Sequence, residues 1–283
     1  MKREALEPWL EAANRRYGAE GLPHRGRPFR ALSDFSKEHK CSIRFDAPIA
    51  KAIFDWFYAH SPPGSHAIGS LFTGAFFFDA SFWPLNIPIG YGTFKLNVIE
   101  SLSTMPLTVR NPLEANAQDM KQLALYWVDC CDYAYGRDCA GKLTTNAQLF
   151  FQNADRELVG AIAQLITPRP NTKAILALRL STEIVMKALL IQEKNITTPQ
   201  LKKLGHNIQQ LADECLATTG IAEFKIISNL AEIFPDVSQR YDGPERTMSE
   251  AWTALTVAQI AATAIVRKYS GRDMRPQILR QFN

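Results

Sequence analysis

The sequence lacks the patterns by which several enzyme classes are recognised. It contains no G-x-x-x-x-G-K-[ST] or G-x-G-x-x-G phosphate loop, no H-E-x-x-H zinc motif and no G-x-S-x-G nucleophile motif. Its five cysteines are odd in number and show no C-x-x-C spacing, which argues against a disulfide framework and a zinc ribbon. We therefore predict no metal ligands, no cofactor and no catalytic residues, and a reducing, cytoplasmic environment fits best.

A strong charge bias and long apolar runs are also missing. Lys and Arg number 32 against 28 Asp and Glu, and a net charge of +4 does not favour a dedicated nucleic-acid or membrane binder. No run of 18 apolar residues occurs, so no transmembrane helix is expected, and the first residues lack the apolar core of a secretory signal. With 46% hydrophobic residues, the 283-residue chain can fold as about two globular domains.

Residues 1–110 are predicted to form an aromatic-rich α+β module. Asp46 can cap a helix with Pro48 in its first turn, and apolar residues then follow at helical spacing. Alternating apolar residues at 85–91 and 94–98 flank Gly90-Tyr-Gly92, a pattern typical of a hairpin and its turn. The most basic stretch of the module is Arg25-Gly-Arg-Pro-Phe-Arg30.

Residues 111–283 show helical periodicity throughout. Apolar stripes in five successive stretches are separated by short breaks, among them Pro168 and Pro170. Thr247-Met-Ser-Glu250 has the spacing of a capping box before the last long helix. Amphipathic helices joined by short loops predict an antiparallel helical bundle, so the protein as a whole is expected to be mainly α.

Three segments of this helical half carry a family resemblance. Leu180-Ser-Thr-Glu-Ile-Val-Met-Lys-Ala-Leu-Leu190, Leu204-Gly-His-Asn-Ile-Gln-Gln-Leu211 and Arg240-Tyr-Asp-Gly243 resemble, in this order, motifs of HEPN domains. The resemblance covers residues 145–270, whereas residues 1–110 match no family. It implies a bundle of four or five helices that usually dimerises.

HEPN domains divide into two functional groups. Some are ribonucleases of toxin and defence systems, with an Arg-x(4–6)-His motif whose arginine binds the scissile phosphate and whose histidine transfers protons. Others are non-catalytic partners of nucleotidyltransferases. In this sequence no histidine has an arginine at that spacing, and none follows Arg240. The absence of this arginine–histidine motif favours the non-catalytic group.

Four candidate ligand-binding residues lie on the first two of these segments or just before them. Arg179, Glu183 and Lys187 step by four along one helix, which predicts either a pair of i,i+4 ion pairs or a polar groove inside the bundle. His206 is interpreted either as a phosphate-binding or proton-transferring group, or as the cap of the following helix.

Two loop residues are further candidates for ligand binding, and a basic tail follows them in the sequence. Arg240 and Tyr241 lie in a loop, where an arginine fork suits phosphate and a tyrosine ring suits a base, although both also anchor ordinary surface loops. The tail is either a phosphate contact or a solvated helix end. It consists of Arg267, Lys268, Arg272, Arg275 and Arg280.

The favoured hypothesis is a non-catalytic HEPN-like protein that binds a nucleotide, an RNA or a protein partner, in a defence or toxin–antitoxin setting. One alternative is a metal-independent ribonuclease whose His206 and Arg240 combine across a dimer, and another is a scaffold that binds through the aromatic module. A homodimer is expected, because small residues at 258–264 on an outer helix face would let two copies approach closely.

Overall fold

A computed structural model describes residues 3–62, 70–89, 97–196, 200–201, 204–236 and 245–280. The described residues are mainly helical and include one small two-stranded sheet, which confirms the predicted mainly-α class. It divides into two compact units, Met1–Ile68 and Gly69–Asn283. The division falls before the boundary predicted near residue 110, because a β-hairpin of residues 72–87 packs with the second unit.

The described part of the first unit contains helices but no strand. Its helices are α1 (Arg3–Ala19), α2 (Arg27–Glu38) and α3 (Pro48–Ala59), which enclose a core that includes Leu10, Tyr17 and Phe57. Helix α3 begins at Pro48 as predicted, but Asp46 does not cap it. The Asp46 carboxylate instead pairs with Arg44 at 2.8 Å.

The hairpin consists of β1 (Phe72–Phe78) and β2 (Ser81–Ile87), which pair antiparallel. Its turn is Asp79-Ala80, where both residues have positive φ, 50° and 56°. Two left-handed residues in a two-residue loop match the twist of antiparallel strands. This turn was not predicted, because alanine is not a typical turn residue. The turn predicted at Gly90-Tyr-Gly92 lies outside the described residues.

The hairpin packs into the helical core of the second unit. The amide of Ala75 donates a hydrogen bond to the Tyr126 hydroxyl at 3.3 Å, and the buried ring of Phe76 lies 5.5 Å from that of Trp252. Pro84 pairs opposite Ala75. A proline is tolerated in β2 because each strand of a two-stranded sheet is an edge strand.

The described part of the second unit also contains eight α-helices, and none of the described helices has an apolar stretch long enough to cross a membrane. Asn116 and Asn207 cap two of them, and Thr247 forms the predicted capping box with Glu250. The helices are α4 (Leu107–Ala115), α5 (Ala117–Gly136), α6 (Thr145–Leu165), α7 (Ala174–Lys194), α8 (Ile208–Thr219), α9 (Glu223–Asn229), α10 (Met248–Ser270) and α11 (Arg275–Leu279).

Two helix pairs show that the bundle is only partly antiparallel. Helices α6 and α7 run antiparallel, since Asn171 bonds Gln164 at their turn and Ser181 bonds Ala154 further along. Helices α5 and α10 run parallel: Thr263 bonds the carbonyl of Asp129, and Gly136 lies beside Val266 and Ser270. The antiparallel prediction is therefore wrong for α5 and α10, because the long connection between α7 and α10 returns the chain to its starting end.

The small residues of α10 do not lie on an outer face. All residues from Ala258 to Ala264 are buried within the single chain. They let α10 sit close to α5, with Thr263 Oγ1 3.1 Å from the carbonyl oxygen of Asp129. The homodimer stays a prediction, but this stretch does not provide its interface.

Gly136 is a position where a methyl group has no room. A Cβ there would lie 2.3 Å from Val266 Cγ1 and 3.1 Å from Ser270 Oγ. We expect Gly136→Ala to lower the free energy of unfolding by about 1–3 kcal/mol, measured by urea denaturation, because α5 and α10 must move apart. The matched variant Gly160→Ala, where nothing lies within 4 Å, should raise it by about 0.5–1 kcal/mol. Equal effects of the two variants would contradict this packing.

Candidate functional site

Helix α7 carries three of the six predicted ligand-binding residues on one side. The i,i+4 spacing of Arg179, Glu183 and Lys187 aligns their side chains along the helix. They are only 8%, 4% and 8% exposed. Both i,i+4 ion pairs form, and they are buried inside the unit.

Glu183 is the centre of this cluster. Its Oε1 accepts hydrogen bonds from Lys187 Nζ and from His206 Nδ1, both at 2.8 Å. Its Oε2 accepts one from Arg179 Nη1 at 3.2 Å. Arg179 Nη2 also donates to the backbone carbonyl of His206 at 2.6 Å. The structure therefore unites four of the six predicted residues through one carboxylate.

The chain just before α8 brings His206 to this carboxylate. Gly205 has a φ of 66°, a left-handed conformation that glycine adopts at no steric cost. Asn207 caps α8 by accepting a hydrogen bond from the amide of Gln210 at 2.9 Å. The interpretation of His206 as the helix cap is thus wrong. Its imidazole bonds Glu183 through Nδ1 and is 69% exposed, so Nε2 is available to a ligand.

The protonation of Glu183 reflects two opposing effects. Burial alone raises the pKa of this carboxyl, but hydrogen bonds from Lys187 and His206 outweigh burial and hold the pKa below its ordinary value of 4.5. A carboxylate with such partners is ionised at neutral pH. Because a carboxylate can only accept, His206 Nδ1 carries the proton of their shared hydrogen bond.

The lowered pKa of Glu183 predicts a specific acid dependence of stability. A depressed folded-state pKa contributes stability above the unfolded-state pKa, and the contribution is lost as pH falls through the folded-state value. The difference in unfolding free energy between the wild type and Glu183→Gln should thus be full at pH 7 and shrink below about pH 4.5. Urea denaturation at several pH values measures it. The other carboxylates are present in both proteins, so their titration cancels in this difference. A difference in unfolding free energy that does not change with pH would contradict the lowered pKa of Glu183.

A groove of about 450 Å³ opens beside the cluster. Its lining combines cationic, acidic and apolar residues with the start of α8. The lining residues of interest are Arg179, His206, Ile208, Glu232, Phe234 and Asp236. Arg240 and Tyr241, the remaining predicted site residues, lie outside the described residues.

A second buried ionic cluster was not predicted. Arg267 Nη2 lies 2.6 Å from Asp129 and 2.7 Å from Asp132, and Arg275 Nη2 lies 2.7 Å from Asp129. Two members of the supposed basic tail, Arg267 and Arg275, are thus neither solvated nor free for phosphate. The available signal was Asp129-Cys-Cys-Asp132, two carboxylates three residues apart within an apolar stripe.

The second cluster serves structure rather than ligand binding. Burial raises the pKa values of Asp129 and Asp132, and the neighbouring arginines oppose this shift without cancelling it. Each carboxylate accepts hydrogen bonds from the chain around it, including the amide of Met274 on Asp132 at 3.2 Å. The cluster therefore fixes the end of α10 and the start of α11 against α5.

Comparison of the chain with protein-family models, with curated proteins and with solved structures finds no match.

Proposed function

We propose that this chain is a non-catalytic binding protein whose groove beside α7 and α8 holds the phosphate group of a nucleotide or of an RNA end. The observation that carries the proposal is the buried Arg179 guanidinium at the groove, with the exposed imidazole of His206 beside it. An arginine held rigidly in a partly dry site is a strong phosphate donor, because little side-chain entropy is lost on binding.

The hydrogen bonds around Arg179 support this role. Glu183 and the His206 carbonyl each take one hydrogen of its terminal nitrogens, which leaves a second hydrogen on each for a ligand. Ile208 and Gln209, in the first turn of α8, also line the groove, and Asn207 caps only the amide of Gln210. Amides at a helix start add a favourable dipole for an anion.

Acidic residues in the lining of the groove narrow the ligand class. Glu232 and Asp236 are among the lining residues, and carboxylates accept hydrogen bonds from ribose hydroxyls and base amino groups. They also repel extended oligophosphates, so a ligand with one phosphate near Arg179 fits best. The volume of about 450 Å³ lies within the range of pockets for molecules of nucleotide size.

Binding of a mononucleotide is the first test. We expect adenosine or uridine monophosphate to bind in isothermal titration calorimetry. Arg179→Met should weaken binding by about 1.5–3 kcal/mol, tenfold or more, because a charged hydrogen-bond donor is lost. His206→Ala, at an exposed position, should weaken it without affecting folding.

The control for this experiment is Arg246→Ala. Arg246 forms an i,i+4 ion pair with Glu250 away from the groove lining. This variant should keep wild-type affinity. No binding by the wild type, or equal losses in all three variants, would overturn the groove as a phosphate site.

A second candidate is a metal-independent ribonuclease. The Glu183–His206 hydrogen bond favours it, because a carboxylate on Nδ1 orients an imidazole so that Nε2 can take a proton from a substrate. The structure thus supplies an orienting partner for His206 that spacing alone did not reveal. The HEPN motif arginine remains absent at its usual spacing.

An RNA cleavage assay separates the two candidates. On the non-catalytic proposal, purified protein in chelator gives no cleavage above background, and His206→Ala and Arg240→Ala behave the same. Metal-independent cleavage that either substitution abolishes would establish the ribonuclease instead. General acid–base catalysis contributes about 10²–10⁴-fold, so its loss is readily measured.

A further inference from the structure

The hydrogen bond between Glu183 and His206 determines which nitrogen of the imidazole carries a hydrogen. The buried Glu183 carboxylate is ionised and can only accept, so the hydrogen lies on His206 Nδ1, 2.8 Å away. In a neutral imidazole one ring nitrogen is a donor and the other is an acceptor. The neutral form of His206 therefore presents a lone pair at Nε2, and not a hydrogen.

A phosphate in the groove requires the opposite state of Nε2. Arg179 and His206 both line the groove, so a phosphate held by the guanidinium also meets the imidazole. A phosphate monoester carries no hydrogen on its terminal oxygens above about pH 6, and these oxygens are repelled by a nitrogen lone pair. A protonated imidazole donates from both nitrogens at once. It can therefore bond Glu183 through Nδ1 and the phosphate through Nε2.

We propose that the groove takes up one proton from solvent when it binds phosphate, that this proton goes to Nε2 of His206, and that acidification therefore tightens binding. The inference rests on the phosphate-binding function proposed for the groove and adds a regulation of it by pH. Histidine is the side chain whose charge changes between about pH 5 and 8. Because protonation and binding are linked, a ligand that favours the protonated ring binds better where that ring is already protonated.

Charges of both signs surround the imidazole of His206, and the phosphate changes their balance. The charged side chains among the described residues that line the groove or pair with Glu183 are Arg179, Glu183, Lys187, Glu232 and Asp236. The three carboxylates favour a protonated imidazole, and the two cations oppose it. A bound phosphate monoester adds up to about two negative charges, so it favours the protonated ring.

Isothermal titration calorimetry with adenosine monophosphate, in two buffers of different ionisation enthalpy, measures the protons taken up on binding. At about pH 7.5 the wild type should take up roughly 0.5–1 proton per bound nucleotide. Its dissociation constant should rise by about three- to tenfold from about pH 7 to 8, a range in which the nucleotide phosphate is already a dianion. His206→Gln, at an exposed position, should bind without proton uptake and with an affinity that does not change over this range.

His39→Gln is the matched control, because His39 is an exposed histidine of the first unit and is not among the lining residues of the groove. This variant should keep the wild-type affinity and proton uptake. Nucleotide binding by the wild type without proton uptake, or with equal uptake in His206→Gln, would overturn this inference and leave the groove as a phosphate site. No nucleotide binding between about pH 6 and 8 would overturn the proposed function of the groove and this inference with it.

Discussion

Arg267→Met is expected to lower the free energy of unfolding by about 3–5 kcal/mol. Arg267 donates to Asp132 at 2.8 Å through Nε and to Asp129 at 2.6 Å through Nη2, and all three side chains are buried. Removal of the arginine leaves two buried carboxylates with part of their charge uncompensated, which costs far more than the pairs contribute. Urea denaturation followed by far-ultraviolet circular dichroism measures the loss.

Two further variants test the cause of this loss. Arg272→Ala lies in the same basic tail at an exposed position, and it should change stability by less than about 0.5 kcal/mol. Adding Asp132→Asn to Arg267→Met should recover part of the loss, because one unpaired charge is removed as well. If the double variant were less stable than Arg267→Met by the full cost of Asp132→Asn alone, the two side chains would not be coupled.

Glu183→Gln is expected to lower the free energy of unfolding by about 3–5 kcal/mol, because here buried cations, and not buried carboxylates, lose their partner. The glutamate is the shared partner of Arg179 and Lys187, and a neutral amide leaves both cations buried without a counter-charge. The same variant should release His206 from its 2.8 Å hydrogen bond and weaken nucleotide binding. Stability is measured by urea denaturation, and ligand affinity by calorimetry.

The chain offers a matched control for Glu183. Glu114 forms the same kind of i,i+4 pair with Arg110 on α4, but its side chain is 46% exposed. Glu114→Gln should therefore lower the free energy of unfolding by less than about 1 kcal/mol. Lys187→Met combined with Glu183→Gln should be more stable than Glu183→Gln alone. If both substitutions lowered the free energy of unfolding equally, burial would not determine how much the Glu183 cluster contributes to stability.

Local signals explain which parts of the fold were predictable. The caps at Asn207 and Thr247 arise from side chains and amides within one turn, so spacing alone reveals them. The i,i+4 step of Arg179, Glu183 and Lys187 likewise fixes their common side on α7. Helical periodicity of residues 111–270 was predictable for the same reason, and the long helices are where that pattern places them.

Contacts between residues far apart in the sequence explain most of the features that could not be predicted. His206 meets Glu183 across 23 residues, and Arg267 meets Asp132 across 135, distances over which spacing carries no information. The Asp79-Ala80 turn was missed for a local reason, since its left-handed alanine is held by the pairing of β1 with β2. The parallel course of α5 and α10 follows from a connection whose path the sequence does not encode in any local pattern.

The ion pairs of Arg267 and Arg275 with α5 also affect the order in which the chain can fold during synthesis. Asp129 and Asp132 leave the ribosome long before Arg267 and Arg275, which neutralise them from the other end of the second unit. A nascent chain that has reached only α7 holds two carboxylates on α5 with no cations to bury them against, so α5 cannot dock in its final place. The first unit closes on contacts within residues 3–62 and can form during translation, whereas the second waits for α10 and α11.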